Sequence, residues 1–299
     1  MEVRGMFKHQ TRADKVILTT NGIILALIVF AILIPLIYVI MASFTNPATL
    51  LNSGITLNPS KWTLQGYSRV FKDGSLLIGF RNSLFYSTAF SLISVTITLF
   101  AAYPLSRKDF VGRKLMMALF IITMFFGGGL IPTYLLVKNL NMLDTIWAIL
   151  LPGAVNVWNI ILARAYFQGI PDELREAAIV DGTSEIQFFF KILLPLSKPI
   201  IAVLVLYQFV AQWNSYFDAM IYLKSENLQP LQIVLRSILV QMQPRPGMIQ
   251  DAQNTAQLQQ IAEMVKYSSI VISSLPLIII YPFFQKYFEK GVMVGSIKG

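Results

Sequence analysis

The chain has 299 residues, of which 55% are hydrophobic and only 13% are charged. Soluble domains carry about 25% charged residues, so this composition excludes a water-soluble globular protein and favours an integral membrane protein. The sequence has no cysteine and a single histidine, His9. Disulfides, thiolate metal sites and histidine-based catalysis within the fold are therefore excluded.

The net charge of +9 and the isoelectric point of about 9.6 are typical either of nucleic-acid binding or of basic residues that flank membrane spans. The mean hydropathy of +0.62 favours the second interpretation. We therefore expect membrane lipid, and no nucleic acid, around this chain.

Six apolar runs are long enough, at about 20 residues, for helices that cross a bilayer. The first follows a basic tail, as a signal peptide would, but its apolar run is too long and has no small-residue cleavage site, so we expect it to be retained. An all-α integral membrane protein with six transmembrane helices is predicted. The spans are expected at residues 16–42, 78–105, 115–137, 145–167, 200–223 and 267–288.

Lysine and arginine predict the orientation of these spans. Four of the first fifteen residues are basic, and the loop at residues 106–114 carries four more. Basic loops remain in the cytoplasm. We expect a multi-pass protein of the bacterial cytoplasmic (inner) membrane with both termini in the cytoplasm, and with the loops at 43–79 and 224–266 outside.

Five of the fifteen acidic residues lie between residues 172 and 185, in a part of the chain that still has helical signals. Pro171 and the acids after it are typical of a helix start, because proline suits the first turn and acids complement the helix dipole. This helix is predicted to end near Val180, at Asp181 and Gly182, because glycine accepts a left-handed conformation.

A second short helix is predicted to begin at Ser184, whose side chain forms a capping box with Gln187. Three phenylalanines at 188–190 give this helix an apolar flank, and Pro195 and Pro199 are expected to end it. The two helices form either a solvated amphipathic connection or a rigid knob for a cytoplasmic partner. The ordered start and stop signals favour the knob, with Leu174, Ala177 and Ala178 on one helical face.

The stretch "EAAIVDGTSEIQFFFKILLPLSKP" closely resembles the EAA motif of membrane subunits of binding-protein-dependent ABC importers. Thr183, where alanine is frequent in that family, is a mild departure. The stretches "NSLFYS", "AAYPLSR", "GGGLIPTYLL", "PDELREAA", "QWNSYF" and "KGVMVGSIKG" resemble the carbohydrate-importer subfamily that includes the smaller maltose permease. The resemblance covers most of residues 81–299.

This resemblance implies a type-1 ABC importer fold and a set of partners. They are a homologous second permease, a dimer of ATP-binding subunits, an extracytoplasmic sugar-binding protein and an oligosaccharide substrate. For the substrate, the resemblance favours uronides derived from pectin or alginate. The implied regions are residues 1–80 (tail, first span and external loop), 81–288 (transmembrane core with the EAA segment at 170–199) and 289–299 (cytoplasmic tail).

The resemblance also implies roles for single residues. Residues of the EAA segment would couple the chain to the ATPase, and the C-terminal tail would contact the ATPase through Lys290, Gly291 and Gly295. The coupling residues are Glu176, Ala177, Ala178, Asp181, Gly182, Leu194 and Pro195.

Polar and aromatic groups inside the spans are candidates for a sugar path, because amides bind hydroxyl groups and aromatic rings cover C–H faces. Each of them is an equally good candidate for hydrogen bonding between helices. Asp218 stands out as an acid within an apolar span. The candidates are Asn156, Asn159, Gln208, Gln212, Trp213, Asn214 and Asp218.

The sequence contains no G-x-x-x-x-G-K-[ST] phosphate-binding loop. We therefore expect no catalysis, no metal site and no cofactor on this chain, with ATP and Mg²⁺ bound by the partner ATPase. The alternative is an ion-coupled secondary transporter, which usually shows inverted repeats and buried acids at mid-membrane. Neither feature is evident in the sequence.

Overall fold

The structure is a computed structural model that describes residues 11–72, 74–241 and 252–296. Within these residues every named element is helical, which confirms the all-α prediction. The chain divides into two compact units. The first comprises residues 1–72 and 241–272, and the second comprises residues 73–240 and 273–299.

The first unit is built on α1 (Arg12–Phe44), whose first turn is closed by a capping box between Thr11 and Asp14. Near the C-terminal end of α1, the hydroxyl of Ser43 forms a hydrogen bond with the hydroxyl of Tyr67, 2.7 Å away. Nearly all of α1 is exposed and apolar, as expected of a helix that contacts lipid. The short helices of this unit are α2 (Pro47–Ser53) and α3 (Gln65–Lys72).

The second unit is organised around α4 (Gly74–Ser106), which packs against two later helices. Small polar residues recur along its buried face, among them Ser83, Ser87, Ser91 and Ser94. Small side chains let helix backbones approach closely in a membrane protein. The sequence of α4 thus provides the groove that positions its neighbours. The other helices that lie wholly in this unit are α5 (Arg113–Phe125), α6 (Leu130–Asn139), α7 (Trp147–Leu150), α8 (Val157–Gln168), α9 (Glu173–Val180), α10 (Glu185–Phe188), α11 (Leu194–Leu196), α12 (Lys198–Trp213) and α13 (Phe217–Tyr222).

Two helices close the chain, α14 (Leu231–Gln241) and α15 (Ala252–Ser296). Among the described residues, three helical stretches are long and apolar enough to cross a membrane: Arg12–Phe44, Gly74–Ser106 and Ala262–Tyr287. Two bent pairs of helices raise this number to five if each pair is one span.

Three predicted spans are not continuous helices, which corrects the sequence-based boundaries. The third bends by 111° between α5 and α6, where the chain contains Gly127–Gly129 and Gly129 has φ +84°. The fourth is divided between α7 and α8 by Pro152 and Gly153, and the fifth is divided between α12 and α13 at Asn214. Glycine interrupts helices because its backbone adopts conformations that other residues resist, and proline because it lacks an N–H. Hydropathy averages register neither effect. The division at residues 80 and 288 stays a prediction.

Candidate functional site

The EAA segment, residues 170–199, begins with α9, which ends at Val180 as predicted. Gly182 has φ +75°, and its N–H donates to the carbonyl of Ile179 at 2.9 Å. Thr183 N–H reaches back to the carbonyl of Ala178 at 2.8 Å. These bonds close the helix end in the way that a left-handed glycine permits. Pro171 lies before the N-cap residue Asp172 and not at the first helical position.

The second helix of the EAA segment begins at the predicted capping box. Ser184 accepts a hydrogen bond from the Gln187 N–H, and the Gln187 side chain accepts one from the Ser184 N–H. After α10 the backbone widens into a π-helical turn, Phe189–Leu193, and then continues into α11.

The helix ends at Leu196, between Pro195 and Pro199, where these two prolines were predicted to end it. The bend lies after Leu196, where Glu185–Leu196 and Lys198–Trp213 meet at 78°. Leu194 is half-buried and Pro195 is exposed. The surface of the EAA segment around Pro195 is therefore accessible to a partner.

Apolar packing joins the EAA segment to the helices of the second unit. Ala178, Phe188, Phe189 and Leu193 belong to one buried cluster with residues of α4, α8 and α12. Ala178 is only 5% exposed, so it does not share an exposed face with Leu174 and Ala177 as predicted. Its small side chain lets α9 lie close to this cluster, and this packing holds the segment against the helices beneath it.

Ion pairs join the two halves of the EAA segment and connect it to the loop after α4. Arg175 Nε donates to Glu185 Oε1 at 2.9 Å, and the hydroxyl of Tyr103 donates to the same carboxylate. Lys108 Nζ lies 2.8 Å from Asp172 Oδ2. The hydrogen bond from Lys108 lowers the pKa of Asp172 below its ordinary value, and the hydrogen bond to Glu185 raises the pKa of Arg175.

The sequence-based predictions did not include two of these contacts, that of Lys108 with Asp172 and that of Tyr103 with Glu185. The positive charge of residues 106–114 is complementary to the acids at 172–185. That complementarity was the available signal. It could not specify partners, because Lys108 and Asp172 are 64 positions apart and Tyr103 and Glu185 are 82 positions apart.

The outer surface of the EAA segment combines apolar side chains with unpaired acids. Val180 is 87% exposed and Ile186 is 71% exposed. Ala177, Glu176 and Asp181 are also exposed, and within the described residues neither acid forms an ion pair. Exposed apolar residues surrounded by polar groups mark surfaces that bind other proteins.

Three of the seven predicted sugar-path residues are buried in contacts within the chain. Gln208 donates a hydrogen bond to Ser94 Oγ on α4. Trp213 Nε1 donates to the carbonyl of Ser273 at 3.1 Å, and its ring stacks on that of Phe209. Asn159 is buried in α8. These contacts favour the hydrogen-bonding and packing interpretation for these residues.

The remaining four candidates leave more of their surface open. Asn156 is half-buried and caps α8 by accepting a hydrogen bond from the Asn159 N–H at 3.0 Å. Gln212 is half-buried, whereas Asn214 and Asp218 are exposed at the end of α12 and in α13. These last three residues lie close together in the sequence, and their role in the path stays a prediction.

The C-terminal tail is described only in part. The backbone at Lys290, Gly291 and Gly295 continues α15, which ends at Ser296. The side chains of these residues and the whole of residues 297–299 lie outside the described residues. The predicted contact of this tail with an ATPase is therefore not tested by the structure.

Comparison with known proteins gives a consistent result over nearly the whole chain. Residues 75–294 match the family model of the binding-protein-dependent transport system inner membrane component. Protein LplC of Bacillus subtilis (strain 168) is 38% identical over 97% of this chain and 98% of its own length. The polygalacturonan/rhamnogalacturonan transport system permease protein YtcP of the same strain is 36% identical over 91% of this chain and 96% of its own length.

A solved structure shares the fold. It is the crystal structure of a bacterial ABC transporter involved in the import of the acidic polysaccharide alginate, and one of its chains superposes with a TM-score of 0.82. That chain is 31% identical, and the match covers 94% of this chain and 99% of the other. None of these proteins supports the ion-coupled alternative. The chain belongs to the family of inner membrane permease components of binding-protein-dependent ABC transport systems.

Proposed function

We propose that this chain forms half of the translocation pathway of an ATP-driven oligosaccharide importer in the bacterial cytoplasmic membrane. A homologous second permease supplies the other half, and an extracytoplasmic binding protein delivers the sugar. The basic loop at residues 106–114 supports an orientation with both termini and the EAA segment in the cytoplasm.

The EAA segment is the surface on which an ATP-hydrolysing subunit docks. This proposal rests on one observation: a segment held firmly by its own chain presents exposed apolar side chains next to the unpaired Glu176 and Asp181. An apolar tip inserts into a cleft of the partner, and the two acids select a basic rim. Energy enters the chain here, because no phosphate-binding loop occurs in its sequence and ATP and Mg²⁺ bind to the partner.

Force is transmitted through the buried cluster. Closure of the ATPase dimer displaces α9, and Ala178, Phe188 and Phe189 pass the displacement to α4, α8 and α12. A well-packed interior transmits such a displacement, because it has few voids and low compressibility. The helices then alternate between inward-open and outward-open arrangements. The C-terminal tail, including Lys290, Gly291 and Gly295, makes a second contact with the ATPase dimer.

The substrate is an oligosaccharide released from an acidic polysaccharide. This choice is supported by the polygalacturonan/rhamnogalacturonan permease and the alginate importer, which the chain resembles over at least 91% of its length. Two polar groups at the end of α12, the half-buried Gln212 and the exposed Asn214, are suited to bind hydroxyl groups, and Asp218 lies close in sequence.

A pull-down from detergent-extracted membranes of the native host tests the docking proposal. An ATP-hydrolysing subunit should co-purify with the wild-type chain and be lost when residues 172–190 are replaced by a flexible linker. Co-purification that survives this replacement would place the dock elsewhere. Uptake of labelled trigalacturonate, with neutral maltotriose as the comparison sugar, tests the substrate class, and preference for maltotriose would contradict it.

A further inference from the structure

A cavity of about 340 Å³ lies between the loop that follows α4 and the EAA segment. Four cationic side chains line it, namely Arg107, Lys108, Arg113 and Arg175, together with the single acid Asp172. The lining therefore has a formal charge of +3, from four positive charges and one negative charge. A volume above about 300 Å³ is within the range of small-ligand sites.

Two further acids contact these cations from outside the lining. Arg107 binds Asp109 through Nε and Nη2, and Arg175 contacts Asp109 and Glu185. Counting these two acids as well, the group still has a net charge of +1, from four cations and three acids. The neighbouring acids therefore do not neutralise the cavity.

The arginines and their acids differ in accessibility. The side chains of Arg107 and Arg175 are 18% and 20% exposed, whereas that of Asp109 is 60% exposed. Among the described residues, the hydrogen bonds of Arg107 and Arg175 use Nε and Nη2, and none uses Nη1. Guanidinium groups with open donors in a sheltered site are suited to bind phosphate oxygens.

Arg113 is the cation of the lining that has no carboxylate partner in the described structure. Its side chain is half-buried, and its Nη1 donates to the carbonyl of Arg107 at 3.2 Å. That contact fixes the side chain at the cavity without neutralising its charge. Arg113 is therefore the residue on which binding of an anion should depend most.

The cavity also has an apolar side, which includes Phe167, Phe188 and Leu193. It lies where α4 and α8 end, at Ser106 and Gln168, and these ends are expected at the cytoplasmic face of the bilayer. A cationic cavity at the expected membrane surface, where anionic headgroups are concentrated, fits such a headgroup better than a free ion. Basic pockets between transmembrane helices on the cytoplasmic side bind anionic lipid headgroups.

From these observations we infer that the cavity binds the phosphate headgroup of an anionic phospholipid. The phosphate bridges Arg113 of the loop and Arg175 of α9, and the acyl chains extend from the cavity into the bilayer. A bound lipid then holds α9 against the loop. The effect on coupling to the ATPase rests on the proposed function, but lipid binding itself does not depend on it.

Native mass spectrometry of the purified importer complex tests this inference. The delipidated complex is titrated with dioleoylphosphatidylglycerol, with zwitterionic dioleoylphosphatidylcholine as the comparison lipid. We expect the anionic lipid to be retained preferentially, and Arg113→Gln to weaken its binding by about five-fold. Lys114→Gln is the matched control, because Lys114 is exposed, adjacent in sequence and outside the lining. Arg113→Lys keeps the charge but lacks the guanidinium donors, so it should bind the lipid more weakly than wild type and more tightly than Arg113→Gln.

Each alternative result overturns the inference. Equal losses in Arg113→Gln and Lys114→Gln would mean that general surface charge attracts the lipid. Equilibrium dialysis against radiolabelled inorganic phosphate tests whether the cavity binds free phosphate instead of a lipid headgroup. If inorganic phosphate binds with the same dependence on Arg113 and the lipid does not, the site takes a free anion. These assays do not depend on transport. A complex that binds the lipid but transports no sugar would therefore contradict the proposed function and leave the lipid site intact.

Discussion

Arg175 donates a hydrogen bond from Nε to Glu185 Oε1 at 2.9 Å, across the turn that separates α9 from α10. The same carboxylate accepts a hydrogen bond from Tyr103 near the end of α4. One acid thus fixes the two short helices to each other and to a long helix beneath them. This arrangement gives the EAA segment a defined shape before any partner binds.

The Arg175–Glu185 contact should be measurable by a double-mutant cycle. Exposed ion pairs contribute about 0.2–1 kcal/mol, so Arg175→Gln and Glu185→Gln should each lower thermal stability slightly and reduce sugar-stimulated ATP hydrolysis. The double variant should lose less than the sum of the two losses, because the residues act through each other. Strictly additive losses would show that the pair has no role in positioning the segment.

Gly182→Val should abolish transport while the chain still inserts into the membrane. A β-branched residue at φ +75° is strained by roughly 1–2 kcal/mol, although no atom lies near enough to clash with the new side chain. The measurements are sugar uptake by cells and the amount of the chain in their membranes. Gly112→Ala, at φ −80° in the neighbouring loop, is the matched control and should transport normally. Normal uptake by Gly182→Val would refute the role of this turn.

Glu176→Lys should prevent binding of the ATPase subunit. Glu176 is exposed and forms no ion pair within the described residues, so reversal of its charge leaves the chain's own contacts intact and opposes a basic partner surface. Co-purification of the ATPase and its stimulated hydrolysis rate are the measurements. Glu226→Lys carries the same charge change at an exposed position far along the chain and should behave as wild type. Equal defects in Glu176→Lys and Glu226→Lys would mean that the added positive charge impairs the protein wherever it is placed, and not that Glu176 contacts the ATPase.

Asp144 should give the stability of the complex a defined pH dependence. Its carboxylate accepts hydrogen bonds from the N–H groups of Lys224 and Ser225 and from the Ser225 hydroxyl, at 2.9, 2.9 and 2.6 Å. The Ser225 bonds lower the pKa of Asp144 below its ordinary value of 3.8. The stabilisation is therefore complete above that pH and is lost as the pH falls through the lower value of the folded state.

Asp144→Asn tests this dependence, because asparagine does not ionise and tolerates the positive φ of 58° at this position. The difference in melting temperature between wild type and Asp144→Asn should be the same at pH 6 and pH 8 and should shrink below about pH 4. A difference that changes between pH 6 and pH 8 would assign the dependence to another group.

Gln208→Leu should affect stability and not sugar affinity. Its hydrogen bond to Ser94 is of a kind that contributes about 0.6 kcal/mol on average in membrane proteins, so the melting temperature should fall slightly while the KM for sugar stays constant. Asp218→Asn, at an exposed position, removes a negative charge that repels an acidic sugar, so it should lower the KM with little change in stability. A changed KM in Gln208→Leu would place Gln208 in the sugar path.

Local signals explain which parts of the structure were predictable. The end of α9 at Val180, the left-handed Gly182 and the Ser184–Gln187 capping box each depend on residues within four positions of one another. Such contacts are specified by neighbouring residues, whatever the rest of the fold does. The membrane composition and the family resemblance were likewise readable along the chain.

Contacts between distant residues could not be obtained in this way. Hydropathy averaging treated residues 115–137 as one span, although three glycines allow a 111° bend. Helical spacing placed Ala178 with Leu174 and Ala177, but the phenylalanines of α10 and the following turn cover it. The sequence did not distinguish polar residues that bond between helices from those that are exposed, because that difference depends on their neighbours in the fold.

The amino-acid sequence by itself determined an all-helical membrane chain, the family to which it belongs and the local shape of its EAA segment, because apolar runs, caps and glycine turns act over a few residues. Only the tertiary structure decided that Arg175 and Tyr103 both contact Glu185, and that Gln208 donates a hydrogen bond to Ser94. It also decided that Arg113 lines a cationic cavity. Those relationships join residues on different helices, and a helix's periodicity fixes its faces without fixing which neighbour each face will contact.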